Sequence, residues 1–211
     1  DSWGLPGWSW QEVLPRFKKS ENYYAGANDY HGADGELRVE EQRLRWPILD
    51  AWEAACNSYG IPSTGDFNTG DNYGVGRFHV NQKRGVRFSA KRAFLAPIKQ
   101  RPNLHIVTGV MVDKLHWDGQ RVSGLDVIID GQRQAIQCDG EVLLSAGAIA
   151  TPAILQRSGI GSESALKAAG VPLRRRLEGV GANLQDHLQI RVQFKVKNAT
   201  PLNCLNGSVW G

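Results

Sequence analysis

A few residues in this sequence have types and spacings that could carry acid–base or ligand chemistry. His31 lies in a glycine-framed stretch, His31-Gly32-x-x-Gly35, and Asp186-His187 sets a carboxylate next to an imidazole. A histidine acting as general base needs a positioned partner; alone in a glycine turn, His31 reads as structural. Neighbours on an extended chain point to opposite faces, so Asp186 and His187 cannot form a dyad unaided and read as a junction. Asp66, Asn68, Asp71 and Asn72 invite a calcium loop. Their spacing lacks the alternate-position ligands and closing Glu of an EF-hand, and tight turns held by Asx side chains account for them better. Arg87 has two readings: an exposed or ion-paired arginine, or a phosphate contact through its bidentate fork. Cys56, Cys138 and Cys204 are scattered and show no CxxC spacing. That argues against a zinc site or a disulfide framework and for small, half-buried thiols in a reducing cytoplasm.

The strongest ligand-binding pattern is the stretch 141–161, EVLLSAGAIATPAILQRSGIG. Residues 141–147 form an apolar run ending in small residues, the pattern of a fully buried strand whose end admits a ligand or another backbone. Residues 150–157 have helix-forming composition, with Pro152 near the start, where its missing N–H costs least. Ser158-Gly159-Ile160-Gly161 stops the helix with glycines available for positive φ. A buried strand, a small-residue turn and a helix make one wall of a crevice of the kind found at the carboxyl ends of strands in doubly wound sheets.

Other elements are set by local chemistry. Ser9 and Glu12 form a capping box for a helix over 10–18, whose Trp10, Val13, Leu14 and Phe17 share one face and whose Pro15 weakens its interior. Residues 22–36 read as loop and 36–39 as a strand. A second helix spans 46–59, with Gly60 as its stop. Residues 78–82 read as a strand, and Ser89 as the cap of a short helix carrying Ala93, Phe94 and Leu95. Residues 101–107 are a turn entering a strand. Residues 110–117, 121–129 and 133–138 alternate and are joined by Asp118-Gly119 and Asp130-Gly131, with Asp139-Gly140 after them, which marks an antiparallel meander with a register break near Leu115. Ser162 caps a helix ending near 169–170, residues 174–177 form an exposed strand or loop, and 189–196 alternate as a half-buried strand.

The 211 residues hold 41% hydrophobic and 22% charged residues with a formal charge of +4. With a mean hydropathy of −0.37, this is a chain able to bury a core rather than a disordered one. No apolar run reaches the roughly 20 residues needed to cross a bilayer. The densest basic run, Arg174-Arg175-Arg176, stands beside Glu178, so a nucleic-acid partner is not expected. The sequence starts at Asp1 and its one methionine is Met111, which reads as a processed or excised piece.

Several of these segments together resemble the glucose–methanol–choline (GMC) flavin oxidoreductases. Gly147-Ala148-x-x-Thr151-Pro152-x-Ile154-Leu155-x-x-Ser158-Gly159-Ile160-Gly161 is similar to that family's second signature, and Gly179-Val180-Gly181-x-Asn183-Leu184-Gln185-Asp186-His187 to its GVG-x-NLQDH element. The stretch around Phe17-Lys18-Lys19-Ser20-Glu21, the HG-x-x-G at His31, the D-x-N-x-G at Asp66 and the RPNL at 101–104 follow in family order. Residues 188–191 and 200–203 look most like bacterial choline-dehydrogenase-like enzymes. The resemblance implies an α+β or α/β fold: part of a doubly wound FAD-binding domain with an inserted antiparallel meander, plus the start of a substrate-domain sheet. Residues 1–187 would belong to the flavin region, with a substrate-domain strand near 36–41, and 188–211 would begin the substrate domain. It implies FAD as cofactor, Val112 as the backbone contact to adenine, and Ala146 and Gly147 beside the cofactor.

The family's N-terminal G-x-G-x-x-G and its C-terminal catalytic histidine are not in this sequence, so no catalytic residue is assigned. The expectation is an internal segment of an FAD-dependent dehydrogenase of choline or another primary alcohol, inert alone, binding FAD weakly or not at all, and prone to self-association. Alternatives are one chain of a split enzyme, a non-catalytic binding module on the same fold, or a related oxidase or lyase. Peripheral attachment to an inner membrane stays open.

Overall fold

The computed structural model describes residues 4–193 and 195–198. The chain divides into two units, the described parts of Asp1–Leu104 with Gln193–Gly211, and His105–Val192.

In the first unit, helix α1 (Trp10–Ser20) opens on the expected capping box. The Ser9 hydroxyl accepts from the Glu12 N–H at 3.3 Å, and the Glu12 carboxylate accepts from the Ser9 N–H at 3.1 Å. The Ser9 side-chain and backbone bonds hold the Glu12 carboxyl below its usual range. Strand β1 (Glu21–Tyr23) follows at once and pairs parallel with β2 (Leu37–Val39), so the expected loop over 22–36 begins as a strand. Two glycines explain why these segments lie so close. A Cβ on Gly32 would stand 1.8 Å from the Lys18 carbonyl oxygen, and one on Gly35 would stand 2.2 Å from the Ser20 carbonyl carbon.

Helix α2 (Pro47–Ser58) starts on a proline at its first turn and ends before Gly60, which takes φ +82°. Its apolar stripe is half-buried at Ile48, Leu49 and Cys56 and exposed at Trp52. Residues 62–76 are turns, as read: the carboxylates of Asp66 and Asp71 accept from the N–H groups of Asn68 and Tyr73. A hairpin of β3 (Gln82–Lys83) and β4 (Val86–Arg87) follows, while Val80 makes a single bridge to Glu40. The expected Ser89-capped helix is instead a five-residue π-turn, Lys91–Leu95, leading into a 3₁₀ turn, Ala96–Ile98. Ala90 already has helical dihedrals, and the Ala93 N–H donates to the Ser89 carbonyl at 2.9 Å, so Ser89 stands where the turn begins and holds it through its backbone. Pro97 has no N–H to continue a ladder.

The second unit contains the meander: β5 (Val110–Asp118), β6 (Arg121–Ile129) and β7 (Gln132–Gln137), antiparallel in the order β5-β6-β7. The expected entry strand over 105–107 is not formed. Register shifts fall between Val112 and Lys114 and between His116 and Trp117, bracketing the break anticipated near Leu115. Asp130 and Gly131 take φ +51° and +78°, the left-handed pair that closes a tight hairpin. Helix α3 (Gly147–Arg157) lies against β5, followed by β8 (Ile160–Gly161), a capped helix α4 (Glu163–Ala168) and β9 (Arg175–Arg176), which pairs parallel with β8. Leu115, Ile154 and Ile160 form the buried cluster, with Val112, Trp117, Leu125, Val142 and Leu144 packed around it.

Two further strand expectations fail. Residues 141–145 pair with no strand among the described residues, and Leu143 is 85% exposed. A strand buried on both faces needs flanking strands and covering layers, and the described residues pair no strand with this run and cover only the face of Val142 and Leu144. Residues 189–193, 195 and 196 form no strand and are exposed. Phe194, Cys204 and the 200–203 segment lie outside the described residues.

Ser158 ties α3 to the meander. Its hydroxyl accepts from the Leu115 N–H at 2.8 Å and donates to the Ile154 carbonyl at 2.6 Å, both buried. Ser158→Ala strands the Leu115 N–H, and we expect a loss of about 1–3 kcal/mol, read as a lower denaturant midpoint at constant slope. An unchanged midpoint would mean that another group satisfies that amide.

Candidate functional site

The residues expected to meet a cofactor fall in the second unit. Ala146 is the N-cap of α3 and Gly147 its first residue, both exposed. Gly147 takes φ +85°, and a Cβ built on it would meet nothing within 4 Å. Glycine is therefore required by the backbone conformation, and open space lies beside it. The Thr151 hydroxyl accepts from the Ala146 N–H at 3.0 Å, and no side chain caps the first turn of α3. An uncapped helix start leaves N–H groups for an anionic or carbonyl-bearing ligand. The helix was anticipated from residue 150, but it begins three residues earlier, so the small-residue turn is its own first turn.

Val112 sits at the other end of α3. It is half-buried in β5, opposite Val127 and beside the first register shift. The Arg157 guanidinium, from the last turn of α3, donates to the Asp113 carbonyl at 2.7 Å and the Val112 carbonyl at 3.3 Å. It also pairs with the Asp113 carboxylate at 3.2 Å. Ten helical steps separate Gly147 from Arg157, about 15 Å along the axis. A ligand touching both ends must be extended on that scale.

The other candidates separate. Asp186 and His187 are exposed, and the Asp186 carboxylate accepts from the His187 backbone N–H at 2.8 Å. This agrees with a local turn contact. Arg87 is exposed on β4, with its carbonyl accepting from Arg92. No group of metal-ligating side chains occurs among the described residues. Cys56 and Cys138 are free and half-buried.

The sequence reading missed the partners of His31. Its ring is 3% exposed. Nδ1 lies 2.9 Å from Glu21 Oε2, and Nε2 lies 2.8 Å from Asp66 Oδ2. Tyr23 stacks on the ring with centroids 3.9 Å apart, and the Tyr23 hydroxyl is 3.5 Å from His79 Nε2. Burial, then the Asp66 charge, raises the Tyr23 hydroxyl well above its ordinary value. Burial alone would raise Asp66 as well. The Asn68 N–H and His31 hydrogen bonds, with the charges of His31 and His79, outweigh burial and hold its carboxyl below the usual value. The signal available in the sequence was that the Ser20-Glu21, His31-Gly32 and Asp66-x-Asn68 segments each carry one ionisable residue. Nothing in their spacing says that they meet.

Residues 1–189 match the family model described as GMC oxidoreductase. An oxygen-dependent choline dehydrogenase of Burkholderia multivorans is 38% identical over 208 residues, covering 96% of this chain and 37% of that protein. Among solved structures, a pyridoxine 4-oxidase from Mesorbium loti matches with a TM-score of 0.75 at 32% identity, covering 83% of this chain and 35% of that one. An FAD-dependent oxidoreductase from Chaetomium thermophilum matches with a TM-score of 0.75 at 28% identity, covering 82% and 32%. The chain belongs to the GMC oxidoreductase family, and its mixed helix-and-strand fold is that of the family's N-terminal, FAD-binding portion. It spans about 37% of the length of the curated relatives it matches. No helix among the described residues is long and apolar enough to cross a membrane.

Proposed function

We propose that this chain is the part of an FAD-dependent alcohol oxidoreductase that holds the cofactor along α3 and the meander. The substrate is a small alcohol, choline or another primary alcohol, oxidised at its CH–OH group. The single observation that carries this reading is the turn at Ala146-Gly147, an uncapped helix start with Gly147 at φ +85° beside open space, inside a family match running over 1–189. When bound, the flavin supplies the hydride acceptor. This chain's residues bind and orient: Ala146 and Gly147 offer backbone approach at the start of α3, and Val112 offers its backbone on β5. Arg157 fixes the Val112-Asp113 edge.

The chain by itself is expected to leave choline unoxidised with FAD and an electron acceptor present. His31 has both ring nitrogens engaged by carboxylates, so it is not free to take a hydroxyl proton. Residues 1–187 are assigned to the flavin region and 188–211 to the start of the substrate-binding region. The free thiols of Cys56 and Cys138 support a reducing, cytoplasmic compartment. Exposed Leu143, Ile149, Leu188 and Ile190 support self-association or cover by further protein.

The test is equilibrium dialysis of FAD against the purified chain and its Gly147→Val variant. A branched side chain at left-handed φ costs roughly 1–2 kcal/mol, so the variant should bind FAD about tenfold more weakly. Equal affinity would remove Gly147 from the site. No binding by the parent chain would mean that these backbone contacts do not hold FAD without the glycine fingerprint that this sequence does not carry.

A further inference from the structure

Three segments that stand apart in the sequence meet at one ring. Glu21 comes from β1, directly after α1, His31 from the glycine turn and Asp66 from the 62–76 turns. An ionised carboxylate only accepts hydrogen bonds, and a neutral imidazole can donate from one nitrogen alone. Both ring nitrogens of His31 lie within 3 Å of a carboxylate oxygen. Both contacts are therefore satisfied only when the cluster holds one proton more than two carboxylates and a neutral ring. The imidazolium is the form that donates to both at once.

The remaining contacts fix the carboxylates. Glu21 Oε2 also accepts from the Gly32 N–H at 3.1 Å. Asp66 Oδ1 accepts from the Asn68 N–H at 2.8 Å and lies 3.8 Å from His79 Nδ1. The other ionisable groups around the ring are Tyr23, stacked on it, and Tyr24, which donates to Glu41. The Lys18 ammonium is held by the carbonyls of Asn28 and Asp29 just before the ring. With a neutral ring, one nitrogen lone pair of the buried His31 would face a carboxylate oxygen, an unsatisfied contact.

We propose that His31 is a proton-held clamp: as the imidazolium it fastens the Asp66 turn, and with it the 62–76 segment, to the β1–β2 pair, and loss of its proton releases that segment. The segment is poised for such control. The Thr64 N–H donates to the Val75 carbonyl at 2.8 Å, and the Val75 N–H to the Pro62 carbonyl at 2.9 Å. Close passage at Gly76, where a Cβ would stand 2.1 Å from the Thr64 carbonyl oxygen, makes the turns move as a unit. His31, Asn68 and His79 also line a cavity of about 400 Å³ whose other wall is Trp10, Leu14 and Phe17 of α1. Release therefore reshapes that cavity. On the acid side the sign follows from Asp66. Its lowered folded value means that its contribution is present above the ordinary carboxylate range and is lost as pH falls through the lowered value. The clamp is closed between that limit and the deprotonation of His31. This inference does not depend on the flavin assignment.

The experiment is hydrogen exchange of the whole 211-residue chain by mass spectrometry, corrected for intrinsic exchange, at about pH 6 and about pH 9. In the parent chain, protection of the amides of Thr64, Asn68 and Val75 should fall about tenfold more than that of the β5–β6 amides, the equivalent of one unit of proton linkage. In His31→Gln, whose amide has a single donor nitrogen, protection in 62–76 should be low at both pH values. Equal protection at both pH values in the parent chain, or parent-like behaviour in the variant, overturns the clamp. Should the variant not fold, ¹⁵N spectra of the parent chain near the lower pH decide. Two protonated ring nitrogens on His31 are expected, and a neutral tautomer overturns the proposal.

Discussion

Gly32→Ala should abolish cooperative folding of the first unit. The added methyl would stand 1.8 Å from the Lys18 carbonyl oxygen, 2.6 Å from its carbonyl carbon and 2.9 Å from its Cα. All three are backbone atoms in the last turn of α1, and none can swing aside as a side chain could. Overpacked sites usually cost about 1–3 kcal/mol because side chains absorb the strain, and here the helix itself must move. Moving it carries Glu21 away from the Gly32 N–H and from His31, which are 3.1 and 2.9 Å away. The clash therefore also breaks a buried charged cluster. We expect a loss above about 3 kcal/mol, among the large values that follow from a named steric or buried-charge defect. Proteolysis should read it as preferential cutting within 1–104, while peptides from the β5–β7 meander stay protected. Gly26→Ala is the comparison: Gly26 takes positive φ, which Gly32 does not, and its Cβ would meet nothing within 4 Å, so it carries a conformational penalty without a clash. Equal losses in the two variants would mean that the close approach at Gly32 costs no more than a left-handed φ does at Gly26.

What the sequence made legible was local. The capping box at Ser9 and Glu12 closes within one turn of helix, and the two residues between them carry its whole geometry. The hairpins at Asp118-Gly119 and Asp130-Gly131 are equally local, because residues able to adopt positive φ fix the turn and the turn fixes the pairing. Leu143 shows the opposite case. Its run reads as a core strand by composition, yet burial is conferred by whatever lies beside a segment, and composition cannot report that. His31 fails for the same reason in the other direction. Its partners stand 10 and 35 residues away, so no window of sequence contains the cluster. The glycine turn announced a close approach without saying which backbone approaches. The family resemblance preserved the order of the segments but gave no reason for their charges to meet.

The candidate cofactor residues were legible for a mixed reason. Gly147 was singled out by a signature that also reads as an ordinary strand, turn and helix. The backbone adds the deciding feature, positive φ next to open space. Val112 was assigned by family pattern alone. Its geometry adds an Arg157 brace that no sequence motif had suggested, which makes α3 a strut between the two candidate positions and not only the helix after a turn.

That strut must end where it does, and Gly159 enforces it. Gly159 takes φ +83°, and a Cβ there would lie 2.7 Å from the Pro172 carbonyl oxygen and 2.9 Å from Arg174 Cβ. Its own carbonyl accepts from the N–H groups of Arg174 at 2.8 Å and Arg175 at 3.0 Å, which starts the β8–β9 pair. Arg174 in turn stacks over Trp117 with its guanidinium 4.5 Å from the ring centroid and donates to the Gly119 carbonyl. Gly159→Ala thus meets two penalties. Left-handed φ costs roughly 1–2 kcal/mol, and displacing the 172–174 backbone adds about 1–3 kcal/mol. The expected sum is about 2–5 kcal/mol, enough to separate β9 from β8 and to draw Arg174 off Trp117. Trp117 also reports the event, since its fluorescence should shift to the red as its cover leaves. A variant that loses stability without that shift would mean the strain is absorbed inside α3. The Leu115 contact to Ser158 would then have slipped in place of the β8–β9 pair, and the brace at Val112 would have moved with it.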